Sequence, residues 1–193
     1  MTKLLPTDLM KLEDYAQARP QFRAEILAHK KRRQVAVGEN LTLLFEDRRT
    51  VQMQVQEMLR IERIFEASGI QEELDAYNPL IPDGSNLKAT CLIEFTDEQE
   101  RRTRLAEMRG VEDKIYVQVP DFDRSYAIAD EDMDRSDETK TAAVHFLRFE
   151  FSAAMIAAIR GGAPMLVGVD HPAYRAETVL AEHVREALAA DFA

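Results

Sequence analysis

From Arg48 to Glu66 the chain reads RRTVQMQVQEMLRIERIFE, with no Gly or Pro and good helix formers throughout. At about 100° per residue, Val51, Val55, Met58, Leu59, Ile61, Ile64 and Phe65 cover well over half the circumference. The pattern predicts a central core helix wrapped on several sides. Glu62 falls between Val51 and Val55 on the wheel, and Gln54 and Glu57 lie within or beside the apolar arc. A lone carboxylate there is too costly, so an ion pair, a hydrogen bond, a metal or a proton is expected at each. Arg48, Arg60 and Arg148 are available as counter-ions. Glu57 and Glu62 stand about 140° apart on the helix, too far for one small ligand to bridge without a second element.

The remaining pattern divides into short elements. Thr7 or Asp8 is expected to cap a helix to about Ala18, and Pro20 to start a second in its favourable first-turn position. Leu41 to Phe45 reads as a first strand. Asn78 to Asn86, NPLIPDGSN, reads as a rigid loop, and Leu87 to Phe95 as a strong strand. Thr96 and Gln99 form a capping-box signature for a helix to about Met108, closed by Gly110. Strands follow at Lys114 to Val119, Ser125 to Ala129, Ala143 to Phe151 and Met165 to Val169, with a helix from Ser152 to Arg160 and an amphipathic tail from Ala176 to Ala190. Helices lead and short strands dominate the middle, without a Gly-rich strand-to-helix turn. The expected fold is α+β: a mainly antiparallel sheet packed against the long central helix, with N-terminal helices and a C-terminal helix. One domain over 1–193 is expected, with 1–38 as a helical segment packed on the core.

Composition narrows the setting. The 193 residues are 46% hydrophobic and 31% charged, as in a soluble globular protein. The net charge of −10 argues against non-specific nucleic-acid binding. A single cysteine, Cys91, has no partner for an intrachain disulfide. With neither a signal-type nor a membrane-spanning apolar run, a cytoplasmic location is expected. Charge is uneven: Lys30, Lys31, Arg32 and Arg33 form a basic cluster at a helix end, suited to the helix dipole or to anchoring phosphate or an acidic partner.

Candidate chemistry is sparse. Asp130, Asp132 and Asp134 begin like a calcium loop, but Arg135 and Thr141 stand where Gly and Glu are needed, so DEDMDRSDETKT reads as an exposed acidic connection. His29, His145, His171 and His183 are scattered; His145 and His183 read as structural. His171, in VGVDHPAY, follows Asp170 at a strand end before a fixed Pro turn, which can present a side chain or simply hydrogen-bond it. A pocket gathering Glu57, Glu62, Tyr77, Asn78, Asp170 and His171 would offer oxygen ligands and one imidazole, a set suited to iron, manganese or zinc.

At EMLRIER (Glu57 to Arg63), DAYNPLIPDG (Asp75 to Gly84) and VGVDHPAY (Val167 to Tyr174) the chain resembles an uncharacterised bacterial family, domain of unknown function 3501. The likeness takes in Phe45 to Asp47, Asp134–Arg135 and HFLRFEF, and so nearly the whole chain. The family brings no catalytic residue set. The resemblance implies a setting beside rubrerythrin-like proteins and iron–sulfur oxidoreductases. The expected role is therefore an accessory protein of an iron-dependent redox or peroxide-stress system. The alternative is a metal- or small-ligand-binding enzyme using the Glu/Asp/His pocket.

Overall fold

The computed structural model describes residues 2–133, 135–136 and 139–192. Its fold is α+β with two antiparallel sheets. In chain order the elements are α1 (Leu12–Lys31), β1 (Gln34–Val37), β2 (Leu41–Glu46), α2 (Arg48–Glu62), α3 (Ala67–Tyr77), β3 (Asn86–Ile93), α4 (Glu98–Glu107), β4 (Ile115–Gln118), β5 (Ser125–Tyr126), β6 (Ile128–Ala129), β7 (Val144–Glu150), α5 (Ala153–Arg160), β8 (Leu166–His171), β9 (Tyr174–Val179) and α6 (Glu182–Ala189).

The first sheet runs β1-β2-β3-β7-β6 and the second β5-β4-β8-β9. Strand alternation drives one face of each inward. Val37, Leu43, Phe45, Leu87, Cys91 and Phe149 of the first sheet meet Ile115, Val117, Val167 and Val169 of the second in one apolar core. The sheets are stitched along their margins. Tyr174 Oη donates to Val37 O at 2.7 Å and Thr178 Oγ1 to Ala36 O at 2.9 Å, joining β9 to β1. On the other margin Ser125 Oγ donates to Glu150 O at 2.7 Å. Helices α4, α5 and α6 cover the ends through Leu105, Met108, Met155, Ile159, Val184 and Leu188.

The helix from Arg48 lies outside this closed wall. Asp47 caps it, accepting from Arg49 N at 3.0 Å and Thr50 N at 2.9 Å. Val51, Val55 and Leu59 bury one stripe in a second core with Leu4, Leu74 and Ile81. The expectation of a helix wrapped on several sides is corrected: Ile61 is 61% exposed and Phe65 64%. The helix stops at Glu62, and Arg63 turns left-handed at φ 56°, which removes Ile64 and Phe65 from the helical wheel.

Pro20 does not start a helix; α1 runs through it. Pro20 and Ala16, whose carbonyl loses its usual N–H partner, are both exposed, while Tyr15 and Ile26 hold the helix on either side. The cap of α4 is Asp97, one residue beyond the expected Thr96. The stretch Ser125 to Ala129 is split between the two sheets as β5 and β6. No helix among the described residues is long and apolar enough to cross a membrane.

Candidate functional site

The six residues expected to share a pocket are not brought together. Glu62 is exposed and has neither a hydrogen bond nor an ion pair among the described residues. The helix ends there, and the wheel position that suggested burial is open to solvent. Glu57 accepts from Tyr15 Oη at 2.6 Å and from Arg19 at 2.7 and 2.9 Å. The Arg19 guanidinium beside it holds the Glu57 carboxyl down at about 2. Asn78 accepts from Leu4 N at 2.7 Å and donates to Leu4 O at 3.0 Å, pinning the N-terminal segment. Asp170 is exposed, beside Arg124 at 3.3 Å and Arg175 at 3.6 Å.

His171 has both ring nitrogens engaged. Nδ1 accepts from Ala173 N at 3.2 Å, which assigns the proton to Nε2, 3.1 Å from Arg109 O. No lone pair is left for a metal. Among the described residues no group of three or more His, Cys, Asp or Glu side chains could hold a metal ion. The expected iron, manganese or zinc site therefore has no donor set among them; Asp134 lies outside the described residues.

The basic cluster is also divided. Lys31 and Arg32 are exposed and Lys30 half-buried, but Arg33 is 2% exposed and turns inward. It pairs with Asp191 and donates from Nε to Phe45 O at 3.0 Å, with Asp47 at 3.5 Å. It ties the C-terminal segment to β2 and the start of α2, so Arg33 is not available for docking.

A cleft of about 470 Å³ does form on the outer face of the first sheet. The register places Glu46, Lys88, Arg148 and Ile128 in one row across β2, β3, β7 and β6. Lys88 and Arg148 therefore stand directly opposite each other, an arrangement that repels unless the charges are met. Arg148 is met twice: Nε and Nη2 reach Glu131 at 2.8 and 2.7 Å, and Nη1 bonds Glu150. Lys88 is not. It is half-buried, donates to Pro79 O, and has no carboxylate within 4.0 Å among the described residues. Burial pushes its pKa down against the upward pull of Asp83 and Glu131, and Arg148 adds to the fall.

Ala76, Tyr77, Pro79 and Leu80 form the wall facing this row, and Phe146 lies beside it. Tyr77, alone of the six expected residues, lines the cleft; burial raises its phenol pKa.

The far wall is the acidic segment, which is not merely an exposed connection. Asp130 is left-handed at φ 50° and points inward, accepting from Phe146 N at 3.0 Å and lying 2.6 Å from His145 Nδ1. His145 is fully buried; its Nε2 faces Thr141 Oγ1 at 2.8 Å, and Thr141 donates to Glu112 at 2.9 Å. The next residues, Glu131 and Asp132, line the cleft. Cys91 pairs with His145 across β3 and β7, and burial pushes its thiol pKa far up.

Sequence reasoning missed Lys88, Glu131 and Phe146, and offered Arg148 only as a counter-ion for the helix carboxylates, whereas it pairs with Glu131 and Glu150. Alternation in LKATCLIEF and HFLRFEF put Lys88 and Arg148 on strand faces, but only the β3–β7 register sets them side by side.

A family model described as protein of unknown function (DUF3501) matches residues 3–192. The chain belongs to the DUF3501 family. A crystal structure from Burkholderia pseudomallei K96243, described as a novel protein of unknown function, resembles this DUF3501 chain at 50% identity. The likeness covers 100% of both chains with a TM-score of 0.94. No curated protein matches the chain.

Proposed function

We propose that this DUF3501 protein binds a small molecule in the cleft between the first sheet and α3. The observation that carries this reading is Lys88: a half-buried cation with no carboxylate in ion-pair reach among the described residues, on the floor of a cleft. Pro79 O satisfies only one of its three N–H donors, and burying such a charge is unfavourable unless an anionic or further acceptor completes the set. The ligand is a compound with an apolar body against Ala76, Leu80 and Phe146 and an oxygen-bearing head at Lys88. Anilinonaphthalene sulfonate, which has both parts, is the first probe. Ala76→Trp, which fills the cleft, is expected to weaken its binding at least tenfold. Phe65→Asp, away from the cleft, is expected to leave binding unchanged. Equal binding by wild type and Ala76→Trp would overturn the reading.

A second reading, service to a rubrerythrin-like or iron–sulfur partner in a redox or peroxide-stress setting, rests on the family's implied surroundings. Exposed Ile61 and Phe65, beside the hollow lined by Leu59, Ile64 and Ile70, support a protein contact there. Co-purification from native cells is expected to recover such a partner with wild type and to lose it with Phe65→Asp. Repeated recovery of the chain alone would count against it.

A further inference from the structure

We propose that Lys88 captures a small aldehyde or ketone as a covalent imine, so that the cleft takes carbonyl compounds with an apolar body. This deepens the cleft reading and rests on it.

A lysine is suited to imine formation when it is partly withdrawn from water, faces a cavity and sits beside a fixed cation that disfavours a second charge. Lys88 meets all three conditions. It is half-buried at the cleft floor, and the guanidinium directly across the β3–β7 ladder is Arg148. Arg148 keeps its charge because Glu131 and Glu150 hold it. Glu131 and Glu150 hydrogen-bond Arg148, while Glu131, like Asp83, acts on Lys88 only through space. Burial lowers the ammonium pKa, in the direction that frees the amine. The other lysines lack this setting: Lys3, Lys11, Lys31, Lys114 and Lys140 are exposed, and Lys30 closes the last turn of α1.

The chemistry balances without an outside oxidant or reductant. The lone pair of neutral Lys88 Nζ forms a bond to the carbonyl carbon, and the C=O π pair moves to oxygen, giving a carbinolamine. Both amine protons then leave with that oxygen as water, and the C=N bond forms. Apolar walls at Ala76, Pro79, Leu80 and Phe146 favour loss of water and disfavour its return.

The test is reductive trapping on the full chain. Wild type is incubated with benzaldehyde and cyanoborohydride at neutral pH and examined by intact mass and peptide mapping. Labelling at Lys88 is expected to exceed that at Lys30 or Lys31 at least tenfold, Lys88→Arg is expected to lose that excess, and Phe65→Asp, away from the cleft, is expected to keep it. Labelling spread evenly over the lysines would overturn the proposal. If benzaldehyde still displaces the fluorescent probe in that case, the imine step alone fails; if it does not, and Ala76→Trp also binds the probe like wild type, the cleft reading fails with it.

Discussion

Arg19 holds Glu57 through a two-point fork, Nε to Oε1 at 2.7 Å and Nη2 to Oε2 at 2.9 Å. The pair joins α1 to α2, and Tyr15 Oη adds a third donor at 2.6 Å. Because the Glu57 carboxyl is held at about 2, below its ordinary 4.5, it stabilises the folded chain at pH values above about 4.5. That contribution is lost as the pH falls from there toward 2. Glu57 is partly solvated, so screening limits the effect to on the order of 1 kcal/mol. Urea midpoints measured across this range are expected to fall less steeply with acidification in Glu57→Gln than in wild type.

Asp191 is a different case: burial pushes its carboxyl up to about 6 against the pull of Arg33, so what matters is the loss of a partner rather than a lowered pKa. Its partner Arg33 is 2% exposed, and removing the carboxylate leaves a buried guanidinium with Asp47 at 3.5 Å as its remaining ion-pair partner. Breaking a buried pair in this way costs about 3 kcal/mol. Asp191→Asn is expected to lower the denaturation midpoint accordingly with an unchanged m-value, whereas Lys31→Ala is expected to shift it very little.

Much of the architecture could be read in advance, because it depends on local signals. Alternation gave the strong strands at Leu87 and Ala143, Gly110 closed the helix after Met108, and Ser152 capped α5. The helix at Arg48 was visible too, but its surroundings were not. Apolar residues past Glu62 looked like a continuing face, when a left-handed Arg63 had already ended the helix. The cleft was illegible for a different reason. Lys88, Arg148 and Glu131 come from separate segments, and their meeting depends on register and on the turn at Asp130.

The interior polar cluster yields a stability prediction. His145 separates Asp130 from Thr141 and Glu112 in a fully buried position. Replacing it by Leu strips a partner from Asp130 and from Thr141 together, at a cost of about 2–4 kcal/mol. Thermal denaturation of His145→Leu is expected to show that loss, and His145→Gln, which keeps part of the hydrogen bonding, a smaller one.

Gly168 allows Tyr116 to lie flat on β8. A Cβ at Gly168 would meet the Tyr116 ring and hydroxyl at 2.4 Å, and Tyr116 is 1% exposed with its hydroxyl on Glu177. Gly168→Ala is therefore expected to cost about 1–3 kcal/mol by overpacking. Tyr116→Phe in the same background is expected to recover part of that loss, since one of the clashing atoms is gone.

Cys91 should be silent toward thiol reagents in the native chain. Its side chain is fully buried, and its pKa is raised by burial together with Asp130 and Glu112. Disulfide-exchange labelling is expected to proceed only as the chain opens, so its rate should rise with urea in step with unfolding.

The stitched margins of the two sheets have a consequence for assembly. β1 and β9 face each other through Tyr174 and Thr178, and the opposite ends of the sheets, β5 and β6, are each two residues long. Among the described residues, the pairing of β1 with β9 and the shortness of β5 and β6 reduce the bare edge offered to an incoming strand, which works against fibril-like growth.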